Sequence, residues 1–260
     1  MRVRELYDAA LIEINKLEAP SMLLEDYNYL INKAIQQKIN KSYNLYEMNQ
    51  QVTDDLLALK RTSKLEIEDD GDIMPNELKG YYAAIPDDYW HMLNCVVQFN
   101  DDVPGKCGSS NFTMVARRLT SDLFPTVINN AYFKPNPKNP YYRIVKNSSG
   151  LVSSTLNSIV NPCNDDSVNN LLDLRFGDTS RYTPVYAYID YLKTPDYIQL
   201  THDDLVEEID NTPVMEFPDY ICYEIINEFV KLLLENSSDP RLQTNVPINQ
   251  TIGYTMSQNN

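Results

Sequence analysis

The residues whose types could carry chemistry are two histidines, four cysteines and a scatter of adjacent aspartates. His91 follows Trp90 directly, and His202 stands in Thr201-His-Asp-Asp204, where capping of a helix start is the expected role. A metal site would require the two histidines to meet across the fold. Cys95, Cys107, Cys163 and Cys222 show no C-x-x-C pairing, no zinc-finger histidine spacing and no activating neighbour, so they read as core thiols or bystanders. Asp101-Asp102, Asp165-Asp166 and Asp203-Asp204 are adjacent pairs, whereas calcium loops alternate their ligands. Asp69-Asp-Gly-Asp72 comes nearest to such a loop, yet it lacks the spacing and the terminal glutamate and reads as turn chemistry. With only 7 glycines there is no G-x-G-x-x-G and no G-x-x-x-x-G-K-[ST], so a glycine-rich phosphate cradle is excluded. These residues point to no enzyme and no cofactor. The rival enzymatic reading is a hydrolase using paired carboxylates.

The chain has 260 residues, 43% of them hydrophobic, with 19 tyrosines beside one tryptophan. That length buries a real core as one large or two small domains, and the composition excludes wholesale disorder. A tyrosine surplus suits half-buried strands and protein–protein interfaces alike. The net charge of −15 argues against general nucleic-acid wrapping, which needs basic surface. Charge is also blocky: residues 65–104 hold ten acids and one lysine, residues 105–147 seven bases and one acid, and residues 201–260 eleven acids and two bases. Such blocks are solvated faces, or they steer subunits together. The start Met1-Arg-Val-Arg-Glu-Leu-Tyr7 lacks an apolar signal core and no run approaches a membrane span, which predicts a cytoplasmic origin, reduced cysteines and no membrane partner.

The strongest helix signal runs from Pro218 to Glu235. Its polar residues Glu224, Asn227, Glu228, Lys231 and Glu235 form one narrow stripe, so well over half its circumference is apolar. Ile221, Ile225, Phe229, Leu232 and Leu233 are therefore expected to pack in the core, against a neighbouring subunit, or both. Helical periodicity also marks residues 2–17, 22–47 and 49–60, and Pro86-Asp-Asp88 looks like the opening of a further helix over 89–99. Strands are expected at 64–68 and 80–85 as a hairpin, then at 113–118, 142–146, 171–176 and 185–191. Residues 132–142, with Pro135, Pro137 and Pro140, read as a rigid connection.

These elements predict an α+β fold, a helical-bundle core built from both ends of the chain with a β-rich insertion in the middle. The expected division is 1–104 as the first part of the core, carrying a β-hairpin at about 63–85; 105–195 as the insertion; 196–241 as the terminal helix completing the core; and 242–260 as an extended arm.

Four stretches together carry a resemblance. They are the helical start from Arg2-Val-Arg-Glu-Leu6 to Leu17, Ile85-Pro-Asp-Asp-Tyr-Trp-His-Met-Leu-Asn-Cys95, Asn130-Ala-Tyr-Phe-Lys-Pro-Asn-Pro-Lys-Asn-Pro-Tyr-Tyr-Arg143, and Met215-Glu-Phe-Pro-Asp-Tyr220 through Asp239-Pro-Arg241. The chain resembles the head-to-tail connector (ring or adaptor) proteins of tailed bacteriophages, of the crAss-like type. The resemblance implies a structural virion protein of the neck, assembled in the host cytoplasm as a ring, commonly a dodecamer, below the portal. Such a ring joins capsid to tail, extends the DNA channel without sequence-specific binding, and helps retain the genome. Its implied partners are further copies of itself, the portal protein and the next ring or tail protein. Another neck or tail-completion component is the alternative of the same class. By the same resemblance Val246, Ile248, Ile252 and Tyr254 belong to a portal-docking arm. Asp69, Asp70, Asp72, Asp203, Asp204, Glu207 and Glu208 are candidates for an acidic channel wall, which would let DNA slide past.

Overall fold

The computed structural model describes residues 1–16, 22–46, 50–69, 80–101, 110–130, 132–146, 170–177, 181–207 and 210–236. The chain divides into two compact units, one from Met1–Leu59 with Pro195–Asn260, the other from Lys60–Thr194.

In the first unit, α1 (Val3–Lys16), α2 (Leu24–Tyr43) and α3 (Gln50–Asp55, followed by a 3-10 turn Leu56–Leu59) come from the start of the chain. From its end come the short α5 (His202–Val206) and the long α6 (Asp219–Asn236). Each long helix has an apolar stripe at helical spacing: Val3, Leu6, Ala10 and Ile14 on α1, and Tyr27, Leu30, Ile31, Ala34, Ile35 and Ile39 on α2, all buried. Helix α6 lies mainly against α2 and secondarily against α1. At its centre the Phe229 ring meets Tyr27 edge-on, with centroids 5.4 Å apart, and Tyr27 in turn meets Tyr7 at 4.8 Å. Lys38 pairs with Glu224, and Lys41 with Glu228 at 2.6 Å, along the seam between α2 and α6.

The segment between the two units' boundary at Pro195 and α6 is held by side chains one helical turn apart. Asn32 accepts from the Ile198 amide at 2.9 Å and donates to its carbonyl at 2.7 Å. Asn28 does the same for Leu200, at 2.9 Å in both directions. Two asparagines at i and i+4 thus stand in for a neighbouring strand.

The second unit contains two sheets. The first has the order β1–β9–β4–β5, from β1 (Lys60–Glu66), β4 (Tyr89–Asp101), β5 (Ser110–Val115) and β9 (Tyr182–Lys193), and all its pairings are antiparallel. The second has the order β2–β3–β8–β7–β6, from β2 (Glu68–Asp69), β3 (Tyr81–Ala84), β6 (Arg117–Arg118), β7 (Tyr141–Lys146) and β8 (Asn170–Arg175), with β6 parallel to β7. Helix α4 (Phe124–Asn129) joins β6 to the connection before β7. Both sheets feed one core, in which Met92, Cys95, Val97 and Phe99 of β4 and Ala187, Ile189 and Tyr191 of β9 join Leu172 and Leu174 of β8. The Phe99 ring meets Phe176 edge-on at 5.0 Å.

This architecture corrects the expected fold class. A helical-bundle core from both chain ends with a β-rich insertion does not describe the chain, because two sheets of four and five strands make up a full half of it. Residues 89–99, expected to complete that core as a helix, form the longest strand, β4. Pro86 opens a turn instead, with the Tyr89 amide donating to its carbonyl at 3.1 Å. The strand's alternation is broken by register shifts at Tyr89/His91, Met92/Asn94 and Gln98/Phe99. Such bulges scramble the two-residue period that would otherwise have marked a strand. Two strands flank it, β9 and β5, and their pairing overrides the local helix-start chemistry. The sheet unit accordingly begins at Lys60 rather than at residue 105. The expected hairpin at 63–85 is mostly replaced: β1 pairs along its whole length with β9, and only the two residues of β2 pair with β3.

Candidate functional site

The face of the second sheet turned away from the core carries a charged row. Antiparallel register sets Tyr82 of β3, Asp173 of β8 and Arg143 of β7 side by side. Arg175, two residues along β8, shares that face. Asp173 is fully buried and Arg175 nearly so. Arg143 Nε donates to Asp173 Oδ2 at 2.5 Å, Arg175 Nε donates to Oδ1 at 2.7 Å, and Arg175 Nη2 donates to the Tyr82 hydroxyl at 3.2 Å. Phe124, at the start of α4, covers the row: its ring centroid lies 3.8 Å from the Arg143 guanidinium carbon and 5.7 Å from that of Arg175. A Cβ at Gly80 would come within 3.0 Å of Arg175 Nη1, so glycine there leaves room for the guanidinium.

This row underlies an exposed platform. Phe124, Ile128, Leu119 and Tyr141 form a small apolar cluster of their own. Between α4 and β7 the chain then passes through a connection tied down at almost every step. Asn130 Oδ1 accepts from the amides of Tyr132 at 2.8 Å and Phe133 at 3.4 Å, and Asn136 Oδ1 accepts from the Lys138 amide at 3.0 Å. The backbones of Asn136 and Asn139 bond to each other, and Asn139 Nδ2 donates to the Tyr141 hydroxyl at 2.9 Å. Pro135, Pro137 and Pro140 point inward while Lys134, Asn136 and Lys138 point out. At its start Tyr132 is 94% exposed and Phe133 61%. On the edge strand β6, Arg117 and Arg118 are both exposed, and the Arg117 amide donates to the Pro140 carbonyl, at the end of the connection, at 2.9 Å. Two large exposed aromatics beside Lys134 and Lys138, on a connection held by its own hydrogen bonds, suit a protein contact.

The other anticipated residues fall elsewhere. Ile221, Ile225, Phe229, Leu232 and Leu233 are all buried, as are Cys222, Ile226, Val230 and Leu234. The apolar excess of α6 is therefore covered within the chain, and the side that was left for a neighbouring subunit is not exposed. Asp203, Asp204 and Glu207 lie on or next to α5 in the first unit, and Asp69 ends β2 in the second. Asp70, Asp72 and Glu208, and the arm residues Val246, Ile248, Ile252 and Tyr254, lie outside the described residues.

Of the residues suited to chemistry, Cys107, Cys163, Asp102, Asp165 and Asp166 lie outside the described residues, His202 and Asp203 are exposed on α5 with Thr201 rather than His202 as its cap, and several others are occupied with structure. His91 sits on β4 with its ring stacked on Trp90 at 4.9 Å, and burial, seconded by Arg118, lowers its pKa. Asp101 pairs with Arg181 at 3.0 Å. Thr201 caps α5, and Asp204 closes the capping box by accepting from the Thr201 amide at 2.8 Å. The Thr201 hydroxyl bond holds the Asp204 carboxyl below its ordinary range. Among the described residues no group of three or more His, Cys, Asp or Glu is arranged to hold a metal, and no helix is long and apolar enough to cross a membrane. Burial pushes the Cys95 thiol up to about 12 and the Cys222 thiol up to about 11. Both should therefore stay unmodified when the native protein meets a maleimide at neutral pH, and react once denaturant is added; peptide mapping by mass spectrometry checks each site, and rapid native labelling of either would contradict its burial.

No protein-family model matches the chain, and no curated protein matches it in sequence.

Sequence reasoning singled out 132–142 as a connection but not the exposure of Tyr132 and Phe133, and it missed the charged row altogether. The available signal was Leu171-Leu-Asp-Leu-Arg-Phe176, where an acid and a base alternate with leucines in an otherwise apolar strand. In a strand covered on both faces, such residues must find partners on neighbouring strands.

Proposed function

We propose that the chain is a structural subunit of a phage neck, present in several copies between the portal and the tail, and that it works by making contacts rather than by catalysis. The reading rests on the resemblance to connector proteins. It is supported by one observation above all: the connection over 132–140, within a stretch that carries part of that resemblance, is tied by local hydrogen bonds and leaves Tyr132 and Phe133 exposed. A solitary monomer gains nothing from keeping such aromatics exposed on a stiff loop, whereas an assembling subunit uses them as anchors. Positions suited to a paired-carboxylate hydrolase, Asp101 and Asp204, are engaged by Arg181 and by a helix cap.

Native mass measurement of the purified chain, alone and with portal protein from the same phage, tests the proposal. A complex containing several copies of the chain per portal assembly is expected. A chain that stays monomeric and never joins the portal would overturn it.

A further inference from the structure

We infer that the aromatic platform of one copy docks on the acidic shoulder around α5 of the next copy. The inference rests on the connector reading and names the contact through which the copies associate.

The platform supplies an apolar centre, Tyr132 and Phe133, with the exposed lysines Lys134 and Lys138 on the same connection. A partner must therefore offer a small apolar spot among carboxylates. The same chain carries such a surface in its other unit. Val206, at the end of α5, is 83% exposed, and Asp203 and Glu207 beside it are exposed acids. The shoulder is as firmly built as the platform. Thr201 and Asp204 close the capping box at one end of α5. At the other end, Arg4 donates to the carbonyls of Glu207 at 2.7 Å and Leu205 at 3.1 Å, and Arg2 donates to those of Asp210 at 2.6 Å and Thr212 at 3.1 Å. The Glu207 carboxylate is itself oriented by Asn211 Nδ2 at 3.3 Å.

Tyr132 and Phe133 in the one unit, and Asp203, Val206 and Glu207 in the other, are each exposed. They are different patches with opposite charge, so the contact they make is head-to-tail. A head-to-tail contact propagates from copy to copy and closes into a ring when its rotation permits. Opposite charge steers the encounter and fixes the register, and the aromatic anchors in their rigid loop supply the hold. The assignment places Asp203 and Glu207 in the joint between copies and not on a channel wall. Nucleic acid is the less suitable partner for the platform, given a chain of net charge −15.

The test is sedimentation of the full chain at low ionic strength, where these charges are least screened. Wild type is expected to show species heavier than a monomer. Tyr132→Ala with Phe133→Ala, Lys134→Glu with Lys138→Glu, and Asp203→Lys with Glu207→Lys should each abolish those species. All six positions lie at or near the surface, so unchanged far-UV circular dichroism is expected of every variant. Mixing the two charge-reversed proteins should restore association, because each then offers the complement the other lacks. A monomeric wild type, association that survives both reversals, or a wild type that binds duplex DNA through the platform without self-associating would each overturn the inference. Association through another surface, with portal binding intact, would sink this contact and leave the connector reading standing. Charge-swap rescue without any portal binding would do the reverse.

Discussion

Asp173→Ala should destabilise the sheet unit by about 3–5 kcal/mol, the usual cost of removing one partner from a buried ion pair. Two guanidinium groups share this carboxylate, Arg143 at 2.5 Å and Arg175 at 2.7 Å, and its own exposure is zero. Without it, two positive charges face the same Phe124 ring at 3.8 and 5.7 Å with no anion between them. The alanine also leaves a cavity between Tyr82 of β3 and Arg143 of β7, its partners across the sheet. Asp173→Asn keeps the shape but turns an NH2 group toward one arginine, so it should lie nearer to alanine than to wild type. Replacing Arg143, Asp173 and Arg175 together by Met, Leu and Met should cost much less, because a buried charge cluster contributes little beyond an apolar one of similar volume. The single tryptophan, Trp90, lies on β4 in this unit, so its fluorescence during urea unfolding reports the relevant transition. A shift for Asp173→Ala worth under about 1 kcal/mol would show that the row is not what holds the platform's base.

For Phe229→Asp we expect loss of the helical fold of the first unit. Truncation of a fully buried Phe alone costs about 3–5 kcal/mol, and the carboxylate adds the penalty of a buried, unpaired charge. Phe229 is completely enclosed and touches Tyr27, whose ring lies between it and Tyr7. The sum is comparable to the whole stability of an ordinary domain, about 5–15 kcal/mol. Two variants keep the expectation falsifiable. Phe229→Leu should fold with a lowered melting temperature, and Tyr223→Asp on the exposed side of the same helix should change stability by no more than about 0.5 kcal/mol. Tyr223 is 56% exposed. Far-UV circular dichroism with thermal melts distinguishes the three. Normal helicity in Phe229→Asp would mean that α6 is not the centre of its unit.

The buried state of α6 shows why an apolar count on a helix does not reveal an interface. Its periodicity stated that nearly every side is apolar, and that much was legible. Whether the second side meets another chain or its own depends on where α1 and α2 lie, and nothing local to residues 219–236 carries that information. The platform shows the converse. Its three prolines point to a stiff connection, and the hydrogen bonds of its asparagines are local, because turn chemistry acts within a few residues. The exposure of Tyr132 and Phe133 depended on how α4 and β7 hold the two ends.

What the sequence determined by itself is what short-range physics controls: helices α1, α2 and α6 from their apolar stripes, strands β7, β8 and β9 from β-branched and aromatic runs, and the stiff turn before β7. What the tertiary structure alone decided are the outcomes set by distant partners. Residues 89–101 became a strand because β9 pairs with them across about eighty intervening residues and β5 folds back on the other side, against a local helix-start signal. Arg143, Asp173 and Arg175 became one charged row because antiparallel register set β7 beside β8. A side chain's type and its near neighbours fix its conformational preferences; its partners are fixed by register and packing, which the whole chain must fold to establish.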